Sequence, residues 1–253
     1  MTPAWITRAF APLHLFEQRC VLCSQVLHSP LLSGASGSFP FCSTCLDALP
    51  RKKRGHCPLC GEPAPWSTLT PCLCGRCLEK LPPWESFAFH GLYEGRLREL
   101  LLTLKFKGGV QLGYALGTLL ANHPLLSPGH VDMIIPVPLH HSRLVRRGYN
   151  QSLEIARPLV SYLAAPLSPH ALARVKATAP QSGLSLQKRR DNIKDAFSAS
   201  PEVREKRILL VDDTLTTGAT LEAAATSLLQ SGAAGISIAV VSRTPRRLTK
   251  IQS

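Results

Sequence analysis

Eight of the nine cysteines form four Cys-x-x-Cys pairs, and this arrangement limits what the first third of the chain can fold into. A Cys-x-x-Cys turn directs two thiolates at one tetrahedral centre, and two such turns complete the four-sulfur shell that structural zinc prefers. Few large apolar residues separate the pairs, so metal binding would supply much of the folding free energy there. The pairs are Cys20 and Cys23, Cys42 and Cys45, Cys57 and Cys60, and Cys74 and Cys77.

The spacing predicts two structural zinc sites, but it leaves the number and the pairing of the sites open. One zinc ion with the remaining pairs free, cross-braced pairing, and a redox-active pair are the alternatives. Cys72 could replace Cys74 as a ligand, although the Cys-x-x-Cys spacing favours Cys74. With four thiolates on each ion no catalytic position stays open, so the zinc module is expected to be structural.

Length and composition exclude a globally disordered chain. The 253 residues are 45% hydrophobic and 18% charged, which is enough to bury one large core or two small ones. No uninterrupted apolar run approaches the roughly 18 residues of a membrane-spanning helix. Charges and a proline interrupt residues 1–19, so we expect a short amphipathic lead-in there rather than a signal peptide. A cytoplasmic location is expected, where thiols stay reduced and paired cysteines favour metal.

The charge is strongly basic and unevenly distributed. The chain has 29 Lys and Arg against 16 Asp and Glu, a formal net charge of +13, which points to polyanionic partners such as phosphates or nucleic acid. Residues 91–253 contain 21 of the basic and 11 of the acidic side chains, so the polyanion surface is expected mainly there. The basic run at residues 51–54 fits a solvated loop or a nucleic-acid contact.

Two prolines in Leu81-Pro82-Pro83-Trp84 interrupt regular structure and predict the end of the cysteine module. We therefore expect a zinc-ribbon module over residues 1–88 and a second domain over 89–253. The second domain alternates helical and strand patterns, which predicts an α/β fold: a mostly parallel sheet flanked by helices, with ligands at the carboxyl ends of the strands. The predicted helices are 97–107, 113–122, 150–163 and 221–231, and the predicted strands are 131–137, 208–211 and 236–241.

The most informative segment is ILLVDDTLTTGAT, residues 208–220. Four strand residues lead into Asp212 and Asp213, and a loop of threonine and glycine then opens a helix. The two aspartates can accept hydrogen bonds from sugar hydroxyls, and Gly218 permits close backbone approach. Free backbone N–H groups at the helix start would cradle a phosphate monoester, together with the hydroxyls of Thr214, Thr216, Thr217 and Thr220. A capped helix after an acidic turn is the simpler alternative.

Three basic segments accompany this motif. The strand 131–137 leads into a predicted cation-rich loop whose guanidinium forks suit a pyrophosphate group: Arg143, Arg146 and Arg147. A solvated basic helix face is the alternative there. Lys105 and Lys107 precede two glycines, and the helix dipole alone would also favour lysine at that place. Residues 174–197 form either a closing lid or a groove for single-stranded DNA, and their cations are Arg174, Lys176, Lys188, Arg189, Arg190 and Lys194.

The segment 208–220 resembles the phosphoribosyl pyrophosphate (PRPP) loop of type I phosphoribosyltransferases. Nearly the whole chain resembles the competence protein F family, which includes GntX-type DNA-utilisation proteins. Besides the cysteines, the resemblance rests on LKFKGG from Leu104, PVPLHHSRLVRRGYNQS over 136–152 and RVKATAPQSGLSLQKRRDNIKDAF over 174–197.

The resemblance implies roles for individual residues. Asp212 and Asp213 would bind the ribose hydroxyls as the candidate catalytic pair, and residues 214–220, with Gly218 and Ala219, would bind the 5′-phosphate. Mg²⁺ would act with PRPP while a nitrogen nucleophile displaces pyrophosphate. The candidate cations for the pyrophosphate and for the flexible loop are Lys105, Arg146, Arg147, Arg174 and Arg190.

Three functions stay open at this point. The first is a PRPP-binding protein or phosphoribosyltransferase in competence or DNA utilisation, with turnover and acceptor unspecified. The second is a non-catalytic adaptor that binds single-stranded DNA and meets DNA-uptake or DNA-processing proteins. The third is a scaffold in which the loop is vestigial. The sequence does not fix the oligomeric state.

Overall fold

The computed structural model describes residues 18–27, 40–52, 55–64, 72–176 and 195–246. The chain divides into two compact units, Met1–Leu49 and Pro50–Ser253. Each unit contains four cysteines that lie together. The first cluster consists of Cys20, Cys23, Cys42 and Cys45, and the second cluster consists of Cys57, Cys60, Cys74 and Cys77.

The division between the units differs from the boundary near residue 88 that we expect from the prolines. The second cluster belongs to the same unit as the sheet because polar side chains connect the two. The indole of Trp84 donates a hydrogen bond to the carbonyl oxygen of Leu59 (2.7 Å), next to a cluster cysteine. The guanidinium of Arg243, at the end of the last strand, donates to the carbonyl oxygen of Cys60 (2.8 Å).

The first unit is built around the two cysteine turns of the first cluster. An antiparallel bridge between Arg19 and Val26 closes the first turn. The N–H of Val21 donates to the carbonyl of Pro40 (2.9 Å) and connects this turn to the segment before the second one. A short helix, α1 (Ser43–Asp47), then follows the first cysteine of the second turn.

A four-stranded parallel sheet forms the centre of the second unit, with strand order β1-β6-β5-β2. Its strands are almost entirely buried, as expected where helices cover both faces. The predicted α/β fold with a mostly parallel sheet is confirmed. Two further strands form a small antiparallel pair, β3 with β4. The strands are β1 (Ser86–Leu92), β2 (Met133–Pro136), β3 (Leu172–Arg174), β4 (Phe197–Ala199), β5 (Arg207–Leu215) and β6 (Gly235–Arg243).

The helices of the second unit include all four that the sequence predicts, to within a few residues. None of the helices in the described ranges has the length and hydrophobicity of a membrane-spanning segment. A 3₁₀ turn covers Pro201–Val203. The helices are α2 (Gly75–Glu79), α3 (Gly95–Phe106), α4 (Val110–Ala121), α5 (His141–Arg147), α6 (Gln151–Leu163) and α7 (Ala219–Gln230).

The structure corrects the sequence analysis at two places and extends it at a third. Strand β1 was not predicted, because its seven residues show no apolar–polar alternation. Helix α5 replaces the predicted cation-rich loop; His140 caps its start by accepting a hydrogen bond from the N–H of Ser142 (3.3 Å), and Gly148, with φ of +82°, ends it. Strand β5 continues to Leu215, so both aspartates of the motif lie within the strand.

Two glycines of α4 let α6 pack directly on its backbone. A Cβ atom on Gly117 would lie 2.1 Å from the carbonyl oxygen of Ile155, and one on Gly113 would lie 2.6 Å from Cβ of Glu154. This close approach sets the position of α6, whose first turn carries Gln151 and Ser152 to the edge of the sheet.

Replacing Gly117 with alanine is expected to lower the free energy of unfolding by about 1–3 kcal/mol. The added methyl group forces α4 and α6 apart, and this cost exceeds the gain in helix propensity of about 1 kcal/mol. Urea denaturation compares the variant with Gly75→Ala in α2, where no atom lies within 4 Å of the added Cβ. Equal free energies of unfolding for the two variants would show that α4 and α6 can move apart without a cost in stability.

Candidate functional site

Both cysteine clusters have the dimensions of a metal site. In each cluster the four Sγ atoms lie within 4.8 Å of one another. The Sγ atoms of Cys23 and Cys42 are 3.6 Å apart, and those of Cys60 and Cys74 are 3.5 Å apart. A tetrahedral ion with metal–sulfur bonds of about 2.3 Å has sulfur–sulfur edges of about 3.8 Å, so the donor sets fit zinc. Cys72 is exposed and lies outside both clusters.

The thiols of the second cluster cannot all ionise together without a cation. A hydrogen bond from Cys60 lowers the pKa of Cys57 to about 4, and the same bond raises the pKa of Cys60. Burial raises the pKa of Cys77 to about 12. A divalent cation removes this conflict because it takes the place of the shared protons.

The two aspartates of β5 lie at the carboxyl edge of the sheet, between α3 and α6. Asp213 forms an ion pair with Nζ of Lys105 (2.8 Å) and accepts a hydrogen bond from Nε2 of Gln151 (2.9 Å). Asp212 accepts hydrogen bonds from Oγ of Ser152 (2.7 Å) and from the N–H of Asp213 (2.8 Å). The end of α3 and the start of α6 thus hold both carboxylates in fixed positions.

Charges and burial shift the acid–base properties of this group. Burial, and secondly the neighbouring charge of Asp213, raise the pKa of Asp212 to about 7. Burial lowers the pKa of Lys105, but the charge of Asp213, its hydrogen bond to Lys105 and the charge of Asp212 together outweigh this effect, so the pKa of Lys105 is raised. Burial lowers the pKa of Arg147, and the charge of Asp213 opposes this. Two cations therefore accompany the carboxylates.

Gln151 is a site residue that the sequence analysis did not single out. It is buried, and none of the described residues makes a hydrogen bond to its Oε1. A buried acceptor without a donor is costly, so a ligand hydroxyl or a cation-bound water is the kind of group that would satisfy it. Its neighbour Asn150 fixes its position: Oδ1 of Asn150 caps α6 at Ser152 (3.1 Å), and Nδ2 donates to the carbonyl of Val137 (3.0 Å).

The threonine loop, residues 214–220, joins β5 to α7. The backbone of Gly218 has φ of +89°, a left-handed conformation that favours glycine. No hydrogen-bond acceptor lies near the N–H groups of Thr216, Thr217 or Gly218 within the part of the chain that the structure describes. Successive N–H groups of this kind, next to the start of a helix, form an anion-binding concavity.

The remaining predicted cations lie at different places. Arg146 is exposed on α5. The guanidinium of Arg174 stacks over the ring of Phe197, 5.4 Å from its centroid. Burial lowers the pKa of Arg174, and the charge of Asp212 opposes this. Arg190, like the rest of residues 177–194, lies outside the described residues. Lys105 contacts Asp213 directly, and the charge of Asp213 acts on Arg147.

Two arginines that the sequence analysis missed contact the rear of the threonine loop. Arg243 is fully buried and pairs with Glu62. Arg76 lies between two cysteines of the second cluster and pairs with Glu222. In the sequence, Arg243 resembles the start of a basic tail, because Arg246 and another arginine follow it closely. Its place at the end of an apolar strand run was the available signal.

Replacing Asp212 with asparagine is expected to stabilise the protein, and clearly more at pH 8 than at pH 5. The folded-state pKa of Asp212, about 7, lies above the ordinary aspartate value, so the folded protein retains a proton that the unfolded chain has lost. Wild-type stability therefore falls as the pH rises towards 7. Asparagine removes this cost of about 2–4 kcal/mol, and its Oδ1 can still accept both hydrogen bonds. Urea denaturation at pH 5, 6.5 and 8 measures the difference.

Asp132→Asn provides the control for this prediction. Hydrogen bonds from Arg207 lower the pKa of Asp132 to about 2, so its carboxyl is ionised at all three pH values in the folded and the unfolded chain. The effect of Asp132→Asn should therefore not change between pH 5 and pH 8. A stability difference for Asp212→Asn that is equally constant would contradict the proposed protonation of the Asp212 carboxyl.

Comparisons with known proteins agree with these features. A model of the phosphoribosyl transferase domain matches residues 149–253, which include β5, the threonine loop and α7. The chain is 37% identical to the DNA utilization protein YhgH of Escherichia coli O157:H7 over 234 residues, covering 89% of this chain and 96% of that protein.

Two further relatives have names that refer to competence. Competence protein F of Haemophilus influenzae is 34% identical over 226 residues, covering 83% of this chain and 90% of that protein. Competence protein ComFC of Bacillus subtilis strain 168 is 30% identical over 207 residues, covering 76% and 79%. The chain therefore belongs to the family of competence protein F and the DNA utilization proteins, with a phosphoribosyltransferase-type domain.

Proposed function

We propose that the α/β domain of the second unit binds phosphoribosyl pyrophosphate with Mg²⁺, in a protein of DNA uptake or DNA utilisation. This proposal rests on one observation: two carboxylates and three successive N–H groups lie at the same edge of the sheet. In this proposal the N–H groups of residues 216–218 and the start of α7 bind the 5′-phosphate. Asp212 and Asp213 accept hydrogen bonds from the ribose hydroxyls.

The donor set beside the phosphate site is suited to Mg²⁺. Carboxylate and amide oxygens are ligands that this cation accepts, and Asp212, Asp213 and Oε1 of Gln151 supply them. When bound, the cation would neutralise charge on pyrophosphate as it leaves. Lys105 and Arg147 are the side chains we assign to pyrophosphate binding, and Arg146, Arg174 and Arg190 remain further candidates.

The reaction that such a site supports is transfer of the phosphoribosyl group. A nitrogen nucleophile forms a bond to C1 of the ribose while the bond from C1 to the pyrophosphate oxygen breaks. Lys105 and Arg147 stabilise the charge that develops on the leaving oxygens. The carboxylates of Asp212 and Asp213 orient the ribose through its hydroxyls and keep the reacting carbon in place.

We also propose that each cysteine cluster binds one structural zinc ion. The sulfur–sulfur distances of 3.5 and 3.6 Å support this, since they are close to the edge of a zinc–thiolate tetrahedron. Plasma emission measurement of the purified full chain should find two zinc ions per chain.

Isothermal titration calorimetry with the zinc-loaded full chain tests the proposed ligand. Mg²⁺ and PRPP should bind to the wild type, and the double variant Asp212→Asn/Asp213→Asn should lose at least about 100-fold in affinity, because two charge-assisted hydrogen-bond acceptors disappear from one site. The double variant Glu94→Gln/Glu99→Gln changes the net charge equally at exposed positions of α3 and its start. Equal binding by all three proteins would overturn the proposed site.

Binding of single-stranded DNA is the second candidate function. It is supported by the excess of basic residues over 91–253 and by the names of the relatives. Phosphate contacts of this kind release counterions, so the affinity should fall steeply between about 50 and 200 mM salt. Fluorescence anisotropy with a labelled oligonucleotide measures it, and a salt-independent affinity would count against this function.

A further inference from the structure

The carbonyl groups at the rear of the threonine loop accept hydrogen bonds from two arginines. Nη1 of Arg76 donates to the carbonyl oxygen of Thr217 (2.6 Å). Nη1 of Arg243 donates to the carbonyl oxygens of Thr216 (2.9 Å) and Leu215 (3.3 Å). Three successive carbonyl groups therefore face guanidinium groups.

These contacts determine where the N–H groups of the loop point. In a trans peptide the C=O of one residue and the N–H of the next are antiparallel, and the described chain contains no cis peptide bond. Holding the carbonyls of residues 215–217 on the rear side therefore turns the N–H groups of residues 216–218 to the front. These are the N–H groups for which none of the described residues supplies an acceptor. The arginines thus set the direction of the anion-binding donors.

Both arginines are connected to the second cluster, one through each of its cysteine turns. Arg76 lies inside the turn between Cys74 and Cys77, within α2. Nε of Arg243 donates to the carbonyl oxygen of Cys60 (2.8 Å) in the other turn. The backbone of the loop and the backbone of both metal-ligand turns are therefore parts of one hydrogen-bond network.

The arginines act through geometry rather than as ligands of an anion. Glu222, in the first turn of α7, neutralises Arg76, and Glu62 neutralises the buried Arg243. The carbonyl oxygen of Glu62 accepts a hydrogen bond from the N–H of Cys57 (2.8 Å), which ties the counter-ion to the same cysteine turn. Because each guanidinium is already paired, its role at the loop is to position backbone groups.

We propose that the second cluster, through Arg76 and Arg243, holds the threonine loop in its anion-binding conformation. A metal ion at this cluster and a phosphate ester at the loop then favour each other's binding. The proposal rests on the proposed function, since it takes the loop to be a phosphate site. Coupling between two sites is reciprocal and typically amounts to about 5–150-fold, and we expect about tenfold in each direction.

Metal competition with the full chain measures the coupling directly. The zinc-loaded protein is titrated with a chromogenic chelator, with and without saturating ribose 5-phosphate as the probe. One of the two zinc ions should be held about tenfold more tightly when ribose 5-phosphate is bound. The first cluster lies in the other compact unit and serves as an internal control. Cys20→Ser/Cys23→Ser, which removes two ligands of the first cluster, identifies the ion that responds.

Variants of Arg76 test the connection itself. Arg76→Gln should bind ribose 5-phosphate about tenfold more weakly in calorimetry and should lose the effect of ribose 5-phosphate on zinc affinity, while it keeps two zinc ions. Arg96→Gln is the matched control, because Arg96 also pairs with a glutamate, Glu99, but at an exposed place on α3. Arg76→Lys keeps the positive charge beside Glu222 but lacks the several N–H donors of a guanidinium. It takes the place of Arg76→Gln if that variant does not fold.

The outcomes separate this inference from the proposed function. If the zinc-loaded wild type does not bind ribose 5-phosphate or PRPP, the phosphate site is overturned, and the coupling with it. If ribose 5-phosphate binds but neither zinc affinity changes, the coupling alone is overturned. If Arg76→Gln and Arg76→Lys both behave like Arg96→Gln, the arginine is not the connection.

Discussion

Replacing Arg243 with methionine is expected to destabilise the second unit by about 3 kcal/mol. The side chain of Arg243 is fully buried and that of Glu62 is 15% exposed, so the variant leaves the Glu62 carboxylate in a poorly solvated place with only the partly exposed Arg246 to pair with it (3.8 Å). The carbonyl oxygens of Cys60 and Thr216 also lose their donor, and the buried carbonyl of Cys60 adds to the cost when it stays unpaired. Methionine fills similar volume, so cavity formation contributes little.

Urea denaturation of the zinc-loaded full chain measures this effect, and two further variants identify its cause. Arg96→Met is the control, because Arg96 and its partner Glu99 are both exposed on α3; it should change stability by less than about 1 kcal/mol. The double variant Glu62→Gln/Arg243→Met should be more stable than Arg243→Met alone, since it removes the carboxylate that has lost its buried partner. If the double variant is the less stable of the two, the loss of that partner is not the cause.

The sequence predicts best where the signal is local. Residues 208–220 contain a strand, an acidic pair, a flexible loop and a helix start in direct succession, and the structure has these elements in that order. The end of β5 was less predictable because it depends on a partner: Asp212 pairs with Val240 and Thr214 pairs with Ser242, so β6 extends the strand through the aspartates. The sequence of β5 alone does not indicate how far β6 extends beside it.

Features that depend on distant parts of the chain could not be predicted. Arg243 contacts Cys60 and Glu62, which precede it by more than 180 residues, and its place at the end of an apolar run does not indicate these partners. The same holds for Arg76, which resembles a surface residue of a short turn. Strand β1, which shows no apolar–polar alternation, also depends on a distant partner, since it pairs with β6 from the other end of the domain.

For the cysteines, the local pattern was informative but the long-range contacts were not. Their spacing predicts four-cysteine sites, and the structure brings together the eight paired cysteines in sequential pairs. The spacing does not indicate which part of the protein each cluster supports. That depends on Trp84, Arg76 and Arg243, whose partners become visible only when the second cluster and the sheet are seen in one unit.

Removing the second cluster should therefore weaken the α/β fold, whereas removing the first should not. For Cys57→Ser/Cys60→Ser we expect the unfolding temperature of the second unit to fall by about 10 °C. The metal-stabilised turn supports Arg243 and accepts the hydrogen bond of Trp84, and a loss of about 4 kcal/mol corresponds to a shift of this size in a domain of about 200 residues.

Cys20→Ser/Cys23→Ser is the matched comparison, because it removes the same number of thiolates from the other compact unit. It should leave the main calorimetric transition within about 1 °C of the wild type, while both double variants lose one zinc ion. Scanning calorimetry together with metal analysis distinguishes the cases. Equal shifts for the two variants would mean that the clusters stabilise the chain as a whole. An unchanged transition for Cys57→Ser/Cys60→Ser would show that the network of Arg76 and Arg243 keeps its geometry without metal, and the proposed coupling to the threonine loop would then fail with it.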